Sequence, residues 1–310
     1  MRYVFIINPV AGKGNAEQQV LPQIKQHFAD NSDVSFYVTE YAGQAKDIAV
    51  AEAQKGDKVR IFACGGEGTG FEILNGIIDY KNVELGVVPC GSANDFLKYY
   101  GDREDFTDIK ELINGVAVPI DIIKADEFYC INGCSVGMDA VVADDMRLFK
   151  KWPLVSGSMA YKLAIVKTFL RKLGCKLKIT INGTAQSIKN CLFVVCANGP
   201  VYGGGYISAP NAQPSDGKLD YTVVQTVPKF KIPSFLKLYE KGKHAQLPFC
   251  ELGNCNTLEV EAEKAVPINL DGEIIHRKKI KFSIIKQAVN FVLPQKTAGR
   301  LVNNAEKVTV

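Results

Sequence analysis

Residues 58–72 read Lys58-Val59-Arg60-Ile61-Phe62-Ala63-Cys64-Gly65-Gly66-Glu67-Gly68-Thr69-Gly70-Phe71-Glu72, a strand signal, a glycine turn and the start of a helix in succession. The segment 59–64 is a short β-type run, and glycines close it. Beyond them Ile73, Leu74, Ile77 and Ile78 recur at helical spacing, so a helix starting at Thr69 or Gly70 should face a sheet. Working outward, the same cadence repeats. Strands are expected at 3–7, 34–39 and 83–88, with helices near 17–29 and 45–54. This is the βαβ rhythm of an α/β domain with a doubly wound, mostly parallel sheet.

Two further small-residue segments follow strands in the same way: Asn8-Pro9-Val10-Ala11-Gly12-Lys13-Gly14, and Pro89-Cys90-Gly91-Ser92-Ala93-Asn94-Asp95. Such loops leave the carboxyl ends of parallel strands together, where glycine backbones, hydroxyls and helix N-termini suit phosphate. The three together suggest a nucleotide-handling enzyme. In the first loop Lys13 could neutralise phosphate. In the second, the backbone at Gly65, Gly66 and Gly68 can approach a triphosphate closely, the Thr69 hydroxyl can donate, and the Glu67 carboxylate would answer a metal's charge. In the third, Gly91 allows close approach, Ser92 and Asn94 offer hydrogen bonds, and Asp95 can cap the helix that follows. Neither standard nucleotide signature is met. Phe71 occupies the last glycine position of G-x-G-x-x-G, and a Walker A motif lacks both its first glycine and the Ser or Thr at Gly14.

After Pro119 the texture changes. Runs rich in Val, Ile, Tyr and Phe at 176–181, 191–197, 218–225, 257–262 and 279–285 are divided by Gly, Asn, Pro and Asp, which fits a β-rich, sandwich-like second domain. Asn182-Gly183 is a strong hairpin signal. One long helix is expected at 158–173, with Tyr161, Ile165, Phe169 and Leu173 on one stripe. A boundary near residue 120 divides a nucleotide-binding domain at 1–120 from a substrate domain at 121–291. A tail at 292–310 would pack back on the first.

Composition narrows the class. Net charge is only +4 over 310 residues, and no RNA-binding or zinc-finger spacing is present, so nucleic acid is not the expected partner. Charge is unevenly spread. No Asp or Glu occurs between Asp145 and Asp216, while ten Lys and Arg do, from Arg147 to Lys189. Nine cysteines without C-x-x-C pairing, beside three histidines, read as reduced core thiols. The N-terminal apolar run is too short for a secretory signal and no window reaches the ~20 apolar residues of a spanning helix. A cytoplasmic protein is expected, touching the inner face of the plasma membrane peripherally.

The three loops, in this order and spacing, resemble the diacylglycerol kinase catalytic domain of the bacterial soluble lipid kinases and of sphingosine and ceramide kinases. Thr39, Gly43 and Ala45 supply that family's second motif, and Phe96 follows Asp95 as in its fourth. The likeness continues through 119–121 and 135–140, through Tyr202-Gly203-Gly204-Gly205 and 215–220, to Asn269-Leu270-Asp271-Gly272-Glu273. The resemblance implies an ATP-dependent kinase of a lipid hydroxyl, diacylglycerol first, serving phospholipid biosynthesis, with the active site in a cleft between the domains. It implies ATP held near Asn8, Thr39, residues 65–71 and Ser92, and Glu273 as the base, with Asp271 its nearest rival. A structural Mg²⁺ would be held by the Asp216 side chain and the carbonyls of Gln213 and Lys218. The partners implied are a lipid substrate and an anionic membrane surface, with a homodimer as the candidate assembly.

Glu67 stands where the family has Asp, and Gly70 and Phe71 replace an aliphatic residue and Asn. A nucleotide-binding regulator with weakened catalysis, suggested by Glu67 and Phe71, is one alternative reading; a soluble-alcohol kinase is another, since NAD kinases also carry a G-G-D-G-T element, while the 89–96 segment and the Asp271-Gly272-Glu273 ending favour the lipid branch.

Overall fold

In the computed structural model, which describes residues 1–28, 32–91, 94–149, 152, 155 and 157–298, the apolar run at 59–64 becomes the centre of a parallel sheet. Strands β1 (Arg2–Ile7), β2 (Val34–Val38), β3 (Val59–Gly65) and β4 (Val83–Pro89) stand in the order β2-β1-β3-β4. All their pairings are parallel, as short βαβ crossovers require. Both β3 and β4 are buried along their whole length, which explains why they are apolar apart from Arg60 and Glu84. Phe5 stacks on Phe62 at 4.7 Å, and Gly86 leaves room for that ring, since a Cβ there would lie 2.4 Å from it. The sheet's helices are α1 (Ala11–Gly14), α2 (Ala16–Phe28), α3 (Gln44–Ala53), α4 (Glu67–Ile77) and α5 (Ile109–Ile113). Helix α3 packs on α4, and α2 on α5.

One buried charge is tied into this unit. Arg60 Nε donates to Glu84 at 2.8 Å, Lys58 adds a second cation at 2.8 Å, and Arg60 Nη1 donates to the carbonyls of Leu112, Ile113 and Gly115. The guanidinium thereby satisfies the C-terminus of α5 while its charge is matched across adjacent strands.

The chain divides into two units, Met1–Ile122 with the chain from Lys286 onward, and Ile123–Ile285. It passes between them inside β5 (Val116–Ala125) and again inside β15 (Glu273–Leu293). The second unit contains β6 (Phe128–Cys130), β7 (Gly133–Gly137), α6 (Met138–Phe149), α7 (Gly157–Leu170), β8 (Cys175–Ile181), β9 (Thr184–Ala197), β10 (Val201–Tyr202), β11 (Tyr206–Ile207), β12 (Leu219–Gln225), α8 (Ile232–Glu240), β13 (Cys250–Cys255) and β14 (Thr257–Leu270). It is β-sandwich-like. Besides β12 and β15 respectively, long strands β9 and β14 both pair β8 with one half and β7 with the other, so the sheet folds over its own core. Phe193, Phe235 and Tyr239 anchor that core.

Two turns form as two-residue hairpins. Asn182 and Gly183 have φ of 47° and 87° between the paired Ile181 and Thr184. Asp271 and Gly272 have 47° and 93° between Leu270 and Glu273. The long helix differs from the expected one. It spans Gly157–Leu170, and its buried face is Ala160, Ala164 and Thr168 rather than the 161/165/169 stripe. Tyr161 is exposed, because the small residues allow α7 to lie close against its neighbours. The nine cysteines are free thiols, and burial raises those of Cys64, Cys130 and Cys196 well above the ordinary range.

Candidate active site

In the first unit, Ile7, Cys64 and Val88 lie in register across β1, β3 and β4, so the three glycine loops emerge side by side. They interlock through the backbone. The Gly65 carbonyl accepts from both Cys90 N (3.0 Å) and Gly91 N (3.1 Å). A Cβ on Gly91 would sit 2.8 Å from Gly66 Cα, and one on Gly12 would meet the Cys90 carbonyl oxygen at 2.6 Å. Glycine is required at these contacts. Gly12 and Lys13 both adopt left-handed φ near 60°, a conformation costing a lysine ~1–2 kcal/mol, which holds the exposed Lys13 on this loop.

Side chains complete the cradle. Asn8 accepts from Val10 N (3.1 Å) and donates to Thr69 Oγ1 (3.2 Å), joining the first loop to the second. Gly66 caps α4, which begins at Glu67, two or three residues before the Thr69 or Gly70 start that the sequence pattern implied. The motif's Glu67, Gly68 and Thr69 therefore form the first helical turn, whose backbone N–H groups and dipole favour phosphate. Glu67 accepts from Asp95 N at 3.1 Å and Asp95 pairs with Lys98 at 2.6 Å. Thr39 is buried beside Ile7, whose carbonyl accepts its N–H at 2.9 Å. Asn94, left-handed at φ 50° and 6 % exposed, has an Nδ2 donor with no partner among the described residues. A buried donor left unmet costs ~1–3 kcal/mol, so this atom fits a ligand oxygen. Ser92 lies outside the described residues.

Two further residues link these loops: Glu72, the acid retained from the family's third motif, and Arg103, which was not singled out in the sequence. Glu72 accepts from Gly43 N at 2.9 Å, tying the 39–45 segment to α4, and Arg103 donates to the Pro89 carbonyl at 2.9 Å. Glu72 lies one turn beyond Gly68 on the helix. At Gly70 a Cβ would meet nothing within 4 Å, so packing does not demand glycine there.

In the second unit the Asp271-Gly272 turn separates two carboxylates of opposite character. Asp271, 4 % exposed, accepts from Ile131 N (2.5 Å), Asn132 N (3.2 Å) and Gly133 N (2.8 Å), pinning the hairpin to the start of β7. Burial pushes its carboxyl up to about 6, against the pull of those three amides. Glu273 opens β15 with its side chain 46 % exposed and 3.9 Å from Arg147 Nη1. Asp271 is committed to its backbone partners, whereas Glu273 is presented to solvent.

The 213–218 loop offers oxygen donors. The Gln213 carbonyl accepts from Ser215 N (2.8 Å), and Asp216 Oδ1 from Lys218 N (3.0 Å). Asp220, 8 % exposed, is pushed up to about 6 by burial and then by the Asp216 charge, with Lys218 opposing. Two adjacent carboxylates and backbone carbonyls form an all-oxygen set that fits a hard divalent cation. Among the described residues no group of three or more His, Cys, Asp or Glu is arranged to hold a metal, so the set depends on its carbonyls.

Comparison with known proteins gives this arrangement a family. The model described as "Diacylglycerol kinase catalytic domain" matches residues 2–125, and "YegS C-terminal NAD kinase beta sandwich-like domain" matches 132–293. The chain belongs to the diacylglycerol kinase family. It is 32 % identical to the "Probable lipid kinase YegS-like" of Shewanella frigidimarina over 251 residues, covering 79 % of this chain and 80 % of that protein. It is 28 % identical to the diacylglycerol kinase of Bacillus subtilis over 303 residues, covering 96 % and 97 %. A crystal structure of a diacylglycerol kinase from Bacillus anthracis shares the fold, with TM-score 0.67 at 19 % identity over 94 % of this chain and 96 % of that one. This family member is an ATP-dependent phosphotransferase. Among its described residues no helix is long and apolar enough to cross a membrane.

Proposed function

We propose that this lipid kinase transfers the γ-phosphoryl group of ATP to the free hydroxyl of diacylglycerol, giving phosphatidic acid. The observation that carries the reading is the interlocked edge of the first unit. Three loops touch through glycine backbone there, the α4 N-terminus opens beside them, and Asn94 holds a buried donor for a ligand oxygen. Asn8, Lys13, Thr39, residues 65–69, Gly91, Ser92 and Asn94 bind the nucleotide. Phosphoryl transfer asks a protein chiefly to align groups and neutralise charge, which backbone amides and Lys13 do.

Glu273 takes the acceptor's proton. The hydroxyl oxygen bonds to the γ-phosphorus, the bond to the β–γ bridging oxygen breaks, ADP leaves, and the proton passes to a Glu273 Oε. Its exposure leaves the carboxylate open to the acceptor, and Asp271 holds the turn that presents it. When bound, Mg²⁺ supplies charge neutralisation on the phosphates and, at Gln213, Asp216 and Lys218, fixes the loop before β12.

The description of the second domain as NAD kinase-like keeps one competitor in view, NAD as a soluble acceptor. Incubating the protein with labelled ATP and, in turn, diacylglycerol, sphingosine and NAD separates the readings. Label in phosphatidic acid supports the proposal. Label only in NADP, or ATP binding with no turnover on any acceptor, overturns it.

A further inference from the structure

The second unit carries an apolar surface that its own core does not use. On α7 the buried face is Ala160, Ala164 and Thr168. At about 100° per residue, Met159, Leu163, Val166 and Leu170 fall within an arc of about 60° on the far side. Val166 is 57 % exposed and Leu170 82 %. This helix is apolar on two faces, and the outer one meets solvent.

A second segment extends that face. Phe230, 78 % exposed, sits in the short turn Lys229–Lys231. Lys229 Nζ donates to the Phe169 carbonyl at 2.6 Å. Gly174 lies so close to Thr226 that a Cβ would meet its Oγ1 at 2.1 Å. Leu173, Val227 and Ile232 share one buried cluster. The end of α7 and the 226–232 segment are thus bound side by side, and each raises one large apolar side chain, Leu170 and Phe230, into water.

The charges around them have one sign. Arg171 and Lys172 follow Leu170, Lys229 and Lys231 flank Phe230, and no Asp or Glu occurs at 146–215 or 221–239. Lys167 and Arg171 share the buried Asp145 carboxylate at 2.7 and 2.9 Å, so one acid faces two cations there. An apolar stripe bordered by Lys and Arg is the surface of a helix that lies in the headgroup region of an anionic leaflet. A second protein chain would call for no such uniform charge.

We propose that the outer stripe of α7 together with Phe230 is the surface on which this enzyme rests on an anionic bilayer, Leu170 and Phe230 entering the headgroup–acyl boundary. The proposal rests on the lipid-kinase reading for its purpose and names the partner surface that reading requires.

The test is co-sedimentation of the full chain with vesicles of phosphatidylcholine alone or with phosphatidylglycerol. Binding is expected only with phosphatidylglycerol, falling as salt rises. Leu170→Glu and Phe230→Glu should each weaken it about tenfold, and Lys172→Ala and Lys231→Ala about fivefold each. Trp152, the chain's single tryptophan, is 57 % exposed and edge-on at 5.1 Å to Phe149, whose ring Lys167 of α7 covers, so its fluorescence should shift on binding. Unchanged melting temperatures show that the variants fold. Wild-type binding by both Glu variants, equal binding to both vesicle types, or a dimer that Leu170→Glu dissolves overturns the proposal. Diacylglycerol turnover in detergent micelles is read in parallel. Loss of vesicle binding in the variants without turnover by any protein sinks the kinase reading alone. Turnover with variant binding unchanged sinks the docking surface alone.

Discussion

Replacing Asp271 by Asn tests whether the carboxylate beside Glu273 is structural. Three backbone N–H groups converge on it in a nearly buried position. At ~1–3 kcal/mol for each buried donor left poorly met, the gross loss is about 6 kcal/mol. Removing the charge returns part of this. A carboxyl raised to about 6 from an unfolded value of ~3.9 carries a penalty of about 3 kcal/mol at neutral pH, so the net destabilisation is about 3 kcal/mol. For a unit of this size that lowers the melting temperature by about 6–12 °C in differential scanning calorimetry at pH 7. The sign of the pH dependence follows. Because the folded pKa lies above the unfolded one, the wild type binds more protons when folded between pH ~4 and ~6, and its advantage grows as pH falls through that window. An Asp271→Asn protein that melts with the wild type, or a gap that narrows toward pH 4, would show that the three amides do not depend on this carboxylate.

Glu273→Gln should shift the melting temperature by no more than ~1–2 °C, since its exposed contact with Arg147 is weak, while lowering kcat ~10²- to 10⁴-fold in the lipid assay. Gly91→Ala places a methyl 2.8 Å from Gly66 Cα and is expected to weaken ATP binding at least tenfold by calorimetry, with the second unit's stability unchanged. Glu84→Gln leaves the buried Arg60 without its counter-charge and should cost ~3–5 kcal/mol in urea unfolding. Millimolar Mg²⁺ should raise the melting temperature of the wild type and not of Asp216→Ala.

Local chemistry made much of this molecule legible from its residues. Alternating strand and helix signals, with glycines at each strand end, gave the parallel sheet, and Asn182-Gly183 gave its hairpin, because each depends on neighbours in the chain. Elements decided by distant packing were misread. The α7 stripe was displaced by one position because alanines at 160 and 164, the weaker apolar signals, are what permit close approach. The α4 start was set too late because Gly66 caps the helix and draws the motif into its first turn. The anchoring of Asp271 was not legible either, since its partners at 131–133 lie about 140 positions earlier in the chain. Nothing near it in sequence announces them.

Wild type and Glu273→Gln should be compared for ATP affinity and for label transferred from γ-labelled ATP to diacylglycerol in mixed micelles. The two proteins should bind ATP equally, with labelled phosphatidic acid formed by the wild type and at least ~10²-fold more slowly by the variant. Equal transfer by both, or no labelled lipid from the wild type, would contradict the role of Glu273 as the base of a diacylglycerol kinase.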